Sequence, residues 1–402
     1  MAETRRSVAV IGSGVAGLTA AYVLQRSADV TLFEADDRLG GHAHTHDVGA
    51  LAVDSGFIVH NDRTYPLLTR LFRELGVQTQ ESDMSMSVSC GGCGLEYAGG
   101  KGLAGLLAPS LAHLRMLADV PRFHRAARAL EDDRPLDEFA ADFSPYFVRH
   151  FLTPLVAAVW SCAPSVAGRY PARYLFAFLA NHGMLSVGGS PPWRTVTGGS
   201  RAYVERVAKT LTAVRTLAPV SGLRRIPDGV ELRADGDLHR FSAAVVATHP
   251  DQALRLLASP TPDERAVLGA IRYSRNEATL HTDQSVLPRA RRARASWNYR
   301  MDDCAATADR VQVSYDMNRL QRLDSPQHHF VSLGVAVPDE RVIARMVYEH
   351  PIYTPELVAA QQRLPSLNTP VLAFAGAYHG WGFHEDGCRS GVRAAEALGG
   401  RW

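Results

Sequence analysis

The sequence predicts an α/β protein built around a parallel sheet, with a second, discontinuous α+β domain. Three observations predict this fold class. Residues 7–12 and 30–33 are apolar runs that suit buried parallel strands, and a helical stretch joins them. Apolar runs of the same kind return at 243–249 and 371–378. Between these runs, residues 269–364 contain short alternating segments that suit a second sheet.

The turn after the first strand carries the pattern Gly-Ser-Gly-Val-Ala-Gly. Gly12 lets the chain turn sharply, Gly14 lets a pyrophosphate approach the backbone, and Gly17 lets the helix pack closely against the strand. The helical stretch is predicted from Gly17 to about Arg26. Its exposed backbone N–H groups, with Val15 and Ala16 just before it, then face the phosphates. The pattern therefore predicts a dinucleotide site of the Rossmann type.

The second strand ends at Glu34, 20 residues after Gly14. At this position a carboxylate accepts hydrogen bonds from a ribose 2′-OH and repels a 2′-phosphate. The site therefore suits FAD or NAD and disfavours NADP. Strand, turn, helix and acid in this order favour a nucleotide site over an ordinary glycine loop.

A short arm follows Glu34 and reads Ala-Asp-Asp-Arg-Leu-Gly-Gly-His. This arrangement resembles the flavin-containing amine oxidase superfamily, which includes amine oxidases, phytoene-type desaturases and protoporphyrinogen oxidases. The resemblance implies non-covalent FAD, with Ala35, Gly40 and Gly41 in the arm that wraps its pyrophosphate. Most members continue with Arg, whereas this chain has His42, whose neutral imidazole can still donate one hydrogen bond.

His42, His44 and His46 alternate along the chain and Asp47 follows them. This spacing is compatible with a metal site, but metal sites draw ligands from several elements and need a supporting shell. We interpret the segment as a solvated β-ribbon beside the cofactor, and we predict no metal site.

A strand over residues 51–59 carries an Asp-x-Gly sequence. In the superfamily this segment passes the isoalloxazine ring, which implies close backbone approach at Gly56, with Phe57 and Ile58 near the ring. His60 and Asn61 follow directly. With His281, in a later strand, they are the candidates for a catalytic base, and the sequence does not choose among them.

Cys90 and Cys93 form a single CxxC sequence. No second pair has zinc-ribbon spacing, so a four-ligand site lacks partners, and no helix follows that would lower a thiol pKa. We therefore expect a tight turn between two strands, although a redox pair is an alternative.

Residues 103–182 are rich in Leu, Ala, Phe and Val and predict helices interrupted by prolines. Such helices form a subdomain core or an apolar lining for a ligand. A cavity of that kind beside a flavin is what an apolar substrate requires.

Residues 193–268 return to the nucleotide domain through a glycine-rich turn, a helix and short strands. The resemblance implies that the backbone at Val220 contacts the adenine. At the end of the chain, Gly376 closes a buried strand, and a loop leads into a helix over 388–398. The resemblance places the flavin N1/C2=O edge at the start of that helix, near the following residues: Gly382, Phe383, His384 and Glu385.

The strands of residues 269–364 form the floor of the substrate domain in this interpretation. Polar or aromatic residues there can face the flavin, namely Asn276, His281, Asp283, Trp297, Asn298, Asn318 and Arg319. Amine oxidases usually place a Lys in this sheet, and residues 210–402 contain none. The missing Lys weakens an amine-oxidase interpretation.

These segments predict two discontinuous domains. The FAD-binding domain comprises residues 1–85, 196–268 and 366–402. The substrate domain comprises residues 86–195 and 269–365, with a helical insertion. The chain of 402 residues is long enough for two such cores.

The composition is that of an ordinary globular protein, with 46% hydrophobic and 21% charged residues. The net charge of +2 implies no nucleic-acid partner. Five cysteines do not suggest a disulfide framework, and the start of the chain is not typical of a secretory signal. We expect a cytoplasmic protein with possible peripheral membrane contact.

Five further motifs resemble one branch of the superfamily, predicted bacterial NAD/FAD-binding proteins; they lie at residues 40–42, 54–61, 296–299, 317–321 and 382–387. That branch is associated with the modification of unsaturated fatty-acyl chains. The resemblance implies an FAD-dependent dehydrogenase, desaturase or oxidase acting on a C–H of an apolar or lipid substrate, with oxygen or another electron acceptor. An amine oxidase and a non-catalytic partner subunit of a lipid methyltransferase are the alternatives.

Overall fold

The computed structural model describes residues 5–99, 111–185, 190–305 and 310–402. Its strands are β1 Arg6–Ile11, β2 Ala28–Phe33, β3 Thr45–Val48, β4 Leu51–Asp54, β5 Thr79–Glu81, β6 Met86–Cys90, β7 Glu96–Gly99, β8 Arg194–Val196, β9 Ala213–Arg215, β10 Val220–Ile226, β11 Gly229–Ala234, β12 Asp237–Phe241, β13 Ala243–Val246, β14 Tyr273–His281, β15 Trp297–Met301, β16 Val313–Asp316, β17 Phe330–Leu333, β18 Val342–Pro351 and β19 Leu372–Phe374.

The helices are α1 Val15–Leu24, α2 Pro66–Glu74, α3 Leu111–Ala129, α4 Leu136–Ala140, α5 Pro145–Phe147, α6 Thr153–Trp160, α7 Pro164–Ala167, α8 Ala172–Asn181, α9 Arg201–Ala208, α10 Pro250–Leu256, α11 Pro262–Gly269, α12 Met317–Leu320, α13 Pro355–Arg363 and α14 His384–Ala397. A π-helical turn, Val148–Leu152, connects α5 to α6. The first part of the helical prediction, residues 103–110, lies outside the described residues.

A five-stranded parallel sheet forms the first layer, in the order β19-β13-β1-β2-β9. Helices α1 and α14 pack together beside it. They approach closely at Gly391, where an added Cβ would lie 2.3 Å from the carbonyl oxygen of Ala16. This arrangement confirms the α/β fold class predicted from the apolar runs.

Helix α1 begins two residues earlier than predicted, directly after Gly14. Gly14 has extended backbone angles, φ −62° and ψ 171°, and its carbonyl accepts the N–H of Leu18 at 2.9 Å. The first backbone N–H groups of α1 therefore lie immediately behind the glycine turn. Helix α14 likewise begins at His384, four residues before the predicted start.

A seven-stranded mixed sheet forms the second layer, in the order β18-β14-β17-β16-β15-β6-β7. Its neighbours pair antiparallel except for β15 and β6, which run parallel. All seven strands come from the two segments assigned to the substrate domain. The turn between β6 and β7 begins after Cys90 and contains Cys93, so the predicted tight turn is confirmed.

Helices α3 to α8 pack around a cluster of aromatic side chains that joins the core of the seven-stranded sheet. Phe123 is fully buried and contacts the rings of Phe139, Phe147 and Phe176. Across residues 5–99, 111–185, 190–305 and 310–402, none of the helices combines the length and the apolar character needed to cross a bilayer.

Candidate active site

A cavity of about 980 Å³ is lined by residues of both sheets. Its volume lies at the upper end of the range for cofactor and small-molecule sites. The glycine turn after β1 borders it, together with Glu34 and Val220. Its apolar wall comprises Ala158, Val159, Trp160, Phe178, Met184, Val331 and Leu333.

The glycine turn provides open space at the carboxyl ends of the parallel strands. Gly12 has φ +99°, which disfavours any side chain. A Cβ added to Gly14 would meet no heavy atom within 4 Å, and a Cβ added to Gly41 would lie 3.2 Å from the Cα of Gly14. The arm therefore packs against the turn at Gly41, and the open space in front of Gly14 is where a pyrophosphate fits.

Glu34 is held in place by the turn that precedes α1. The backbone N–H of Ser13 donates to the Glu34 carboxylate at 2.9 Å, and the Ser13 hydroxyl donates to the same oxygen. The Ser13 hydroxyl oxygen also accepts the N–H of Gly40 at 3.0 Å. Ser13 thus links the acid to the arm, a role that sequence reasoning did not assign.

The backbone of Glu34 also positions the β9–β10 connection. Its carbonyl accepts the N–H of Ala218 at 2.9 Å, and Val220 follows two residues later at the cavity wall. The predicted adenine contact and the predicted ribose contact therefore lie on adjacent parts of one wall.

The need for glycine at position 56 comes from the Gly-Gly-His arm, which packs against it. A Cβ there would lie 2.0 Å from the carbonyl oxygen of His42, and that carbonyl accepts the N–H of Phe57 at 2.7 Å. Gly56 also lines the cavity, with Phe57 and Ile58. The glycine is therefore required by the close approach of two backbone segments, in addition to any approach of a ligand.

His42 is half-buried and lines the cavity, just before the two-stranded ribbon of β3 and β4 begins at Thr45. Its ring lies 5.0 Å from that of Tyr348 and 5.6 Å from that of His350. Burial and neighbouring positive charge hold the pKa of His42 well below its usual value, so the imidazole is neutral. His44 and His46 are half-buried, and their rings contact each other at a tilt of 35° with centroids 4.0 Å apart.

The start of α14 forms the wall near Phe57. The rings of Phe57 and His384 stack with centroids 3.7 Å apart and an interplanar angle of 14°. Burial lowers the pKa of His384 to about 3, so this ring is neutral. Gly382, Phe383 and His384 line the cavity, and the N-terminus of a helix there favours negative charge.

The Glu385 side chain has a structural role that is separate from the backbone contact predicted near it. Its carboxylate accepts the backbone N–H groups of Leu67 at 3.1 Å and Leu68 at 3.0 Å, at the start of α2. Its side chain does not line the cavity. The acid caps α2 and ties it to α14.

Sixteen of the residues assigned to the cofactor line the cavity: Gly12, Gly14, Val15, Ala16, Glu34, Ala35, Gly41, His42, Gly56, Phe57, Ile58, Val220, Gly376, Gly382, Phe383 and His384. Gly17 and Gly40 lie behind its wall. A Cβ on Gly17 would be 1.9 Å from the carbonyl oxygen of Gly12, which explains the glycine by helix–strand packing as predicted. Gly40 has φ +111° and faces Ala43.

None of the three candidates for a catalytic base is among the residues that line the cavity. His60 is buried with its ring 5.2 Å from that of Phe72. Asn61 accepts the N–H of Thr64 at 2.9 Å and shapes the turn before α2. His281 pairs with Ser332, 2.7 Å away, inside the second sheet. Asn61 and His281 thus make structural hydrogen bonds, whereas neither ring nitrogen of His60 has a hydrogen-bond partner among the described residues.

Sequence reasoning missed His350, which lines the cavity from β18. The amide of Asn276 donates to its Nδ1 at 2.9 Å, and burial lowers its pKa to about 4. A neutral His350 in this tautomer keeps its Nε2–H as a donor. The signal available was the alternation of Tyr348 and His350, which places both on one face of β18.

Several polar atoms of the cavity wall have no hydrogen-bond partner among the described residues: Nε2 of His42, the hydroxyl of Tyr378, and the indole N–H groups of Trp160, Trp297 and Trp381. Buried polar groups without partners are costly, so they indicate a ligand that the cavity is built to hold. Aromatic walls, scattered donors and the space before Gly14 fit a dinucleotide that carries a flat ring system.

Comparison with known proteins agrees with this geometry. The family model described as flavin containing amine oxidoreductase matches residues 15–282. Coproporphyrinogen III oxidase of Mycobacterium tuberculosis H37Rv is 38% identical over 85 residues, 19% of this chain and 18% of that protein. The same enzyme of Mycobacterium leprae is 28% identical over 298 residues, 67% of this chain and 65% of that protein. The matched part of the chain thus spans less than two thirds of either relative.

Solved structures match over almost the whole chain. Cyclohexylamine oxidase from Brevibacterium oxydans IH-35A superposes with a TM-score of 0.72 and 17% identity, covering 98% of both chains. The CLA-producing fatty acid isomerase from P. acnes superposes with a TM-score of 0.71 and 16% identity, covering 97% of this chain and 98% of that one. At these identities the likeness concerns the fold.

Proposed function

The chain belongs to the flavin containing amine oxidoreductase family, and on that basis we propose that it is an FAD-dependent oxidoreductase acting on a C–H bond of an apolar substrate. The family membership confirms the prediction of FAD as cofactor. Our proposed substrate class is an unsaturated fatty-acyl or similar lipid-like chain. The proposed acceptor for the electrons is oxygen or another small molecule.

One observation carries the substrate proposal. The wall formed by α6, α8 and β17 contributes Trp160, Phe178 and Leu333 to the cavity, and no Asp, Glu, Lys or Arg from those elements lines it. Burying an unpaired charge there would cost several kcal/mol, on the order of the penalty for isolated ions in a protein interior. An uncharged chain pays no such penalty and gains from the loss of exposed apolar surface.

The chain's own residues position the cofactor and exclude water. The glycine turn, Glu34 and Val220 would hold the nucleotide part, and the arm with His42 would cover the pyrophosphate. Bound FAD would supply the hydride acceptor. The N-terminus of α14 would stabilise negative charge at the ring edge, and the neutral rings of His384 and His350 add no cation to that wall.

Similar proteins support more than one substrate. The isomerase whose fold this chain shares is named for a fatty acid, which supports a lipid-like chain. The cyclohexylamine oxidase supports an amine, which is the second candidate. One observation counts against an amine substrate. Amine oxidases usually carry a Lys in the second sheet, and this chain has no Lys after residue 209.

The third hypothesis concerns partners. A flavoprotein that serves a lipid methyltransferase would bind FAD and turn over only in the complex.

Peripheral membrane contact is proposed at the start of α3, where Leu111 is 66% exposed and Leu114 is 50% exposed. These two exposed leucines lie about one helical turn apart on the same face of α3, an arrangement that suits the interfacial region of a bilayer.

The test is an anaerobic absorbance spectrum of the FAD-loaded protein before and after addition of unsaturated fatty-acyl lipid. Loss of the oxidised flavin bands supports the proposal. Unchanged bands with lipid, together with loss of the bands on addition of cyclohexylamine, would replace it with the amine hypothesis. The partner hypothesis is favoured if neither lipid nor cyclohexylamine alone removes the bands, but lipid removes them once a co-purifying methyltransferase is present.

A matched pair of variants connects this test to the cavity. Met184 lines the apolar wall and is half-buried, so Met184→Glu places a carboxylate there without removing a core side chain. We expect Met184→Glu to retain FAD and to weaken the response to lipid at least about tenfold, the effect of 1.4 kcal/mol. Met184→Leu should respond as the wild type does.

A further inference from the structure

Four potential metal ligands meet at the edge of the seven-stranded sheet. Cys90 ends β6, Cys93 lies in the following turn, His150 belongs to the π-helical turn and Cys304 follows β15. One ligand atom from each lies within 4.8 Å of all the others. The sequence argument that the CxxC pair lacks partners is therefore wrong. Its partners come from segments 57 and 214 residues away in the chain.

The distances match the edges of a tetrahedral metal site. The Sγ atoms of Cys90 and Cys304 are 3.6 Å apart, and the Sγ of Cys93 lies 3.6 Å from Nε2 of His150. Ligands at about 2.3 Å from a tetrahedral zinc ion would be separated by roughly 3.7 Å. All three thiols are free, so no disulfide occupies the cluster.

The histidine is oriented for coordination by its other nitrogen. Nδ1 of His150 lies 3.1 Å from the carbonyl oxygen of Tyr146, to which an Nδ1–H donates. That tautomer leaves a lone pair on Nε2, the atom that faces Cys93. The ring also stacks on Tyr146 with centroids 4.1 Å apart, and the His150 carbonyl accepts the hydroxyl of Tyr97 at 2.7 Å. Such support of a ligand is typical of metal-bound histidine.

Glycines between the cysteines bring the two loops together. A Cβ on Gly91 would lie 2.6 Å from the carbonyl oxygen of Asp302, and one on Gly92 would lie 2.9 Å from the backbone nitrogen of Cys304. The N–H of Gly91 also donates to the carbonyl of Met301 at 2.8 Å. The Cys-Gly-Gly-Cys turn is thus fixed against the segment that carries Cys304.

We propose that Cys90, Cys93, His150 and Cys304 bind one Zn²⁺ in a closed structural site. Three sulfurs and one imidazole are a set that zinc prefers, and four protein ligands leave no open position for catalysis. None of the four residues lines the flavin cavity. The ion would connect β6, the loop after β15 and the helix that begins at α5. Cys93 is exposed, which provides a route for the metal.

The test measures zinc in the FAD-loaded protein, purified under reducing conditions without a metal-affinity tag. We expect inductively coupled plasma mass spectrometry to find about one zinc ion per chain. Cobalt replacement should give the intense thiolate charge-transfer bands of a tetrahedral site. Cys93→Ser and His150→Gln should each lower zinc affinity at least about tenfold, because loss of a partner that only supports a ligand already costs about 10- to 100-fold. Cys162→Ser, a buried thiol outside the cluster, should keep the full zinc content.

Retained flavin absorbance shows that each variant has folded. Cys93 is the preferred position for the test because it is exposed, so replacing its sulfur disturbs the core least. The proposal is overturned if reduced protein supplied with excess Zn²⁺ retains none after dialysis, or if Cys93→Ser binds zinc as the wild type does. A metal-free protein with a Cys90–Cys304 disulfide, seen as a mass loss of about 2 Da on oxidation, would also overturn it. Zinc content does not depend on the lipid response, so the two proposals fail separately.

Discussion

The carboxylate of Asp54 accepts the backbone N–H of Ser200 at 2.9 Å and its hydroxyl at 2.8 Å, across 146 residues of chain. The same carboxylate accepts the hydroxyl of Thr45 at 2.6 Å and the side-chain amide of Gln321 at 3.0 Å. Three separate segments are thereby joined behind the cavity wall. The acid of the Asp-x-Gly sequence anchors the strand whose glycine and aromatic residues border the cavity.

Replacement of Asp54 by Asn should change how stability depends on pH. Burial raises the pKa of Asp54 from its usual value of 3.8 to about 6. Between these values the unfolded chain releases the proton and the folded protein keeps it, so this group's contribution to the free energy of unfolding falls as pH rises. The loss is roughly 3 kcal/mol from pH 3 to pH 7, at 1.36 kcal/mol per pKa unit.

Urea unfolding of wild type and Asp54→Asn at a series of pH values measures this difference. The stability advantage of the wild type over the variant should shrink as pH rises from 4 to 6. Comparing the two proteins cancels the buried histidines, whose lowered pKa values act in the opposite direction. Parallel curves for the two proteins would show that Asp54 does not titrate in this range.

The parts of the site that the sequence predicts well are those fixed by local chemistry. Gly12, Gly17 and Glu34 belong to one strand–helix–strand unit, and the geometry of that unit dictates which residues its turns accept. The same holds for the turn that begins after Cys90 and contains Cys93. In each case the constraint acts over a few residues, so it is visible in the order of residue types.

The parts that sequence reasoning missed depend on contacts between distant segments. His350 reaches the cavity because β18 pairs with β14, and Cys304 meets Cys90 because β15 pairs with β6. Glu385 caps α2 instead of facing the cavity, because α14 packs against that helix. No residue pattern near these positions specifies which segment each residue meets, so their roles follow only from the assembled sheets and helices.

Glu34→Arg should lose most of its affinity for FAD. The carboxylate lines the cavity and is oriented by Ser13, and the substitution removes an acceptor for the ribose hydroxyl. Loss of a hydrogen bond to a charged group costs about 1.5–3 kcal/mol, which is at least a tenfold weaker FAD complex. The matched control is Asp37→Arg, an exposed acid in the same arm that does not line the cavity.

Flavin content of the purified variants and titration of the apoproteins with FAD measure the effect. Asp37→Arg should bind FAD as the wild type does. Wild-type affinity in Glu34→Arg would contradict the ribose contact.

Adding one methyl group at Gly14 or at Gly17 should have opposite consequences. A Cβ at Gly14 meets no protein atom within 4 Å, and the backbone angles there suit alanine. Gly14→Ala should therefore keep the stability of the apoprotein and weaken FAD binding. A Cβ at Gly17 would overlap the carbonyl of Gly12, so Gly17→Ala should lose roughly 1–3 kcal/mol of stability, the usual cost of overpacking.

Thermal unfolding of both apoproteins, followed by FAD titration, separates the two effects. A destabilised Gly14→Ala apoprotein would show that the space before Gly14 serves packing and not a ligand.

Glu385→Ala should destabilise the protein without lowering its flavin content. The carboxylate accepts two N–H groups in the first turn of α2, at Leu67 and Leu68, which are otherwise left without partners. Their loss should cost about 1–3 kcal/mol of unfolding free energy. Glu385→Gln keeps one acceptor oxygen and should recover part of the loss, whereas Glu396→Ala, an exposed acid on the same helix, should have little effect. Urea unfolding and the ratio of flavin to protein absorbance measure both quantities. A variant that unfolds as the wild type does but purifies without FAD would place the Glu385 side chain at the cofactor, in contradiction to the cap on α2.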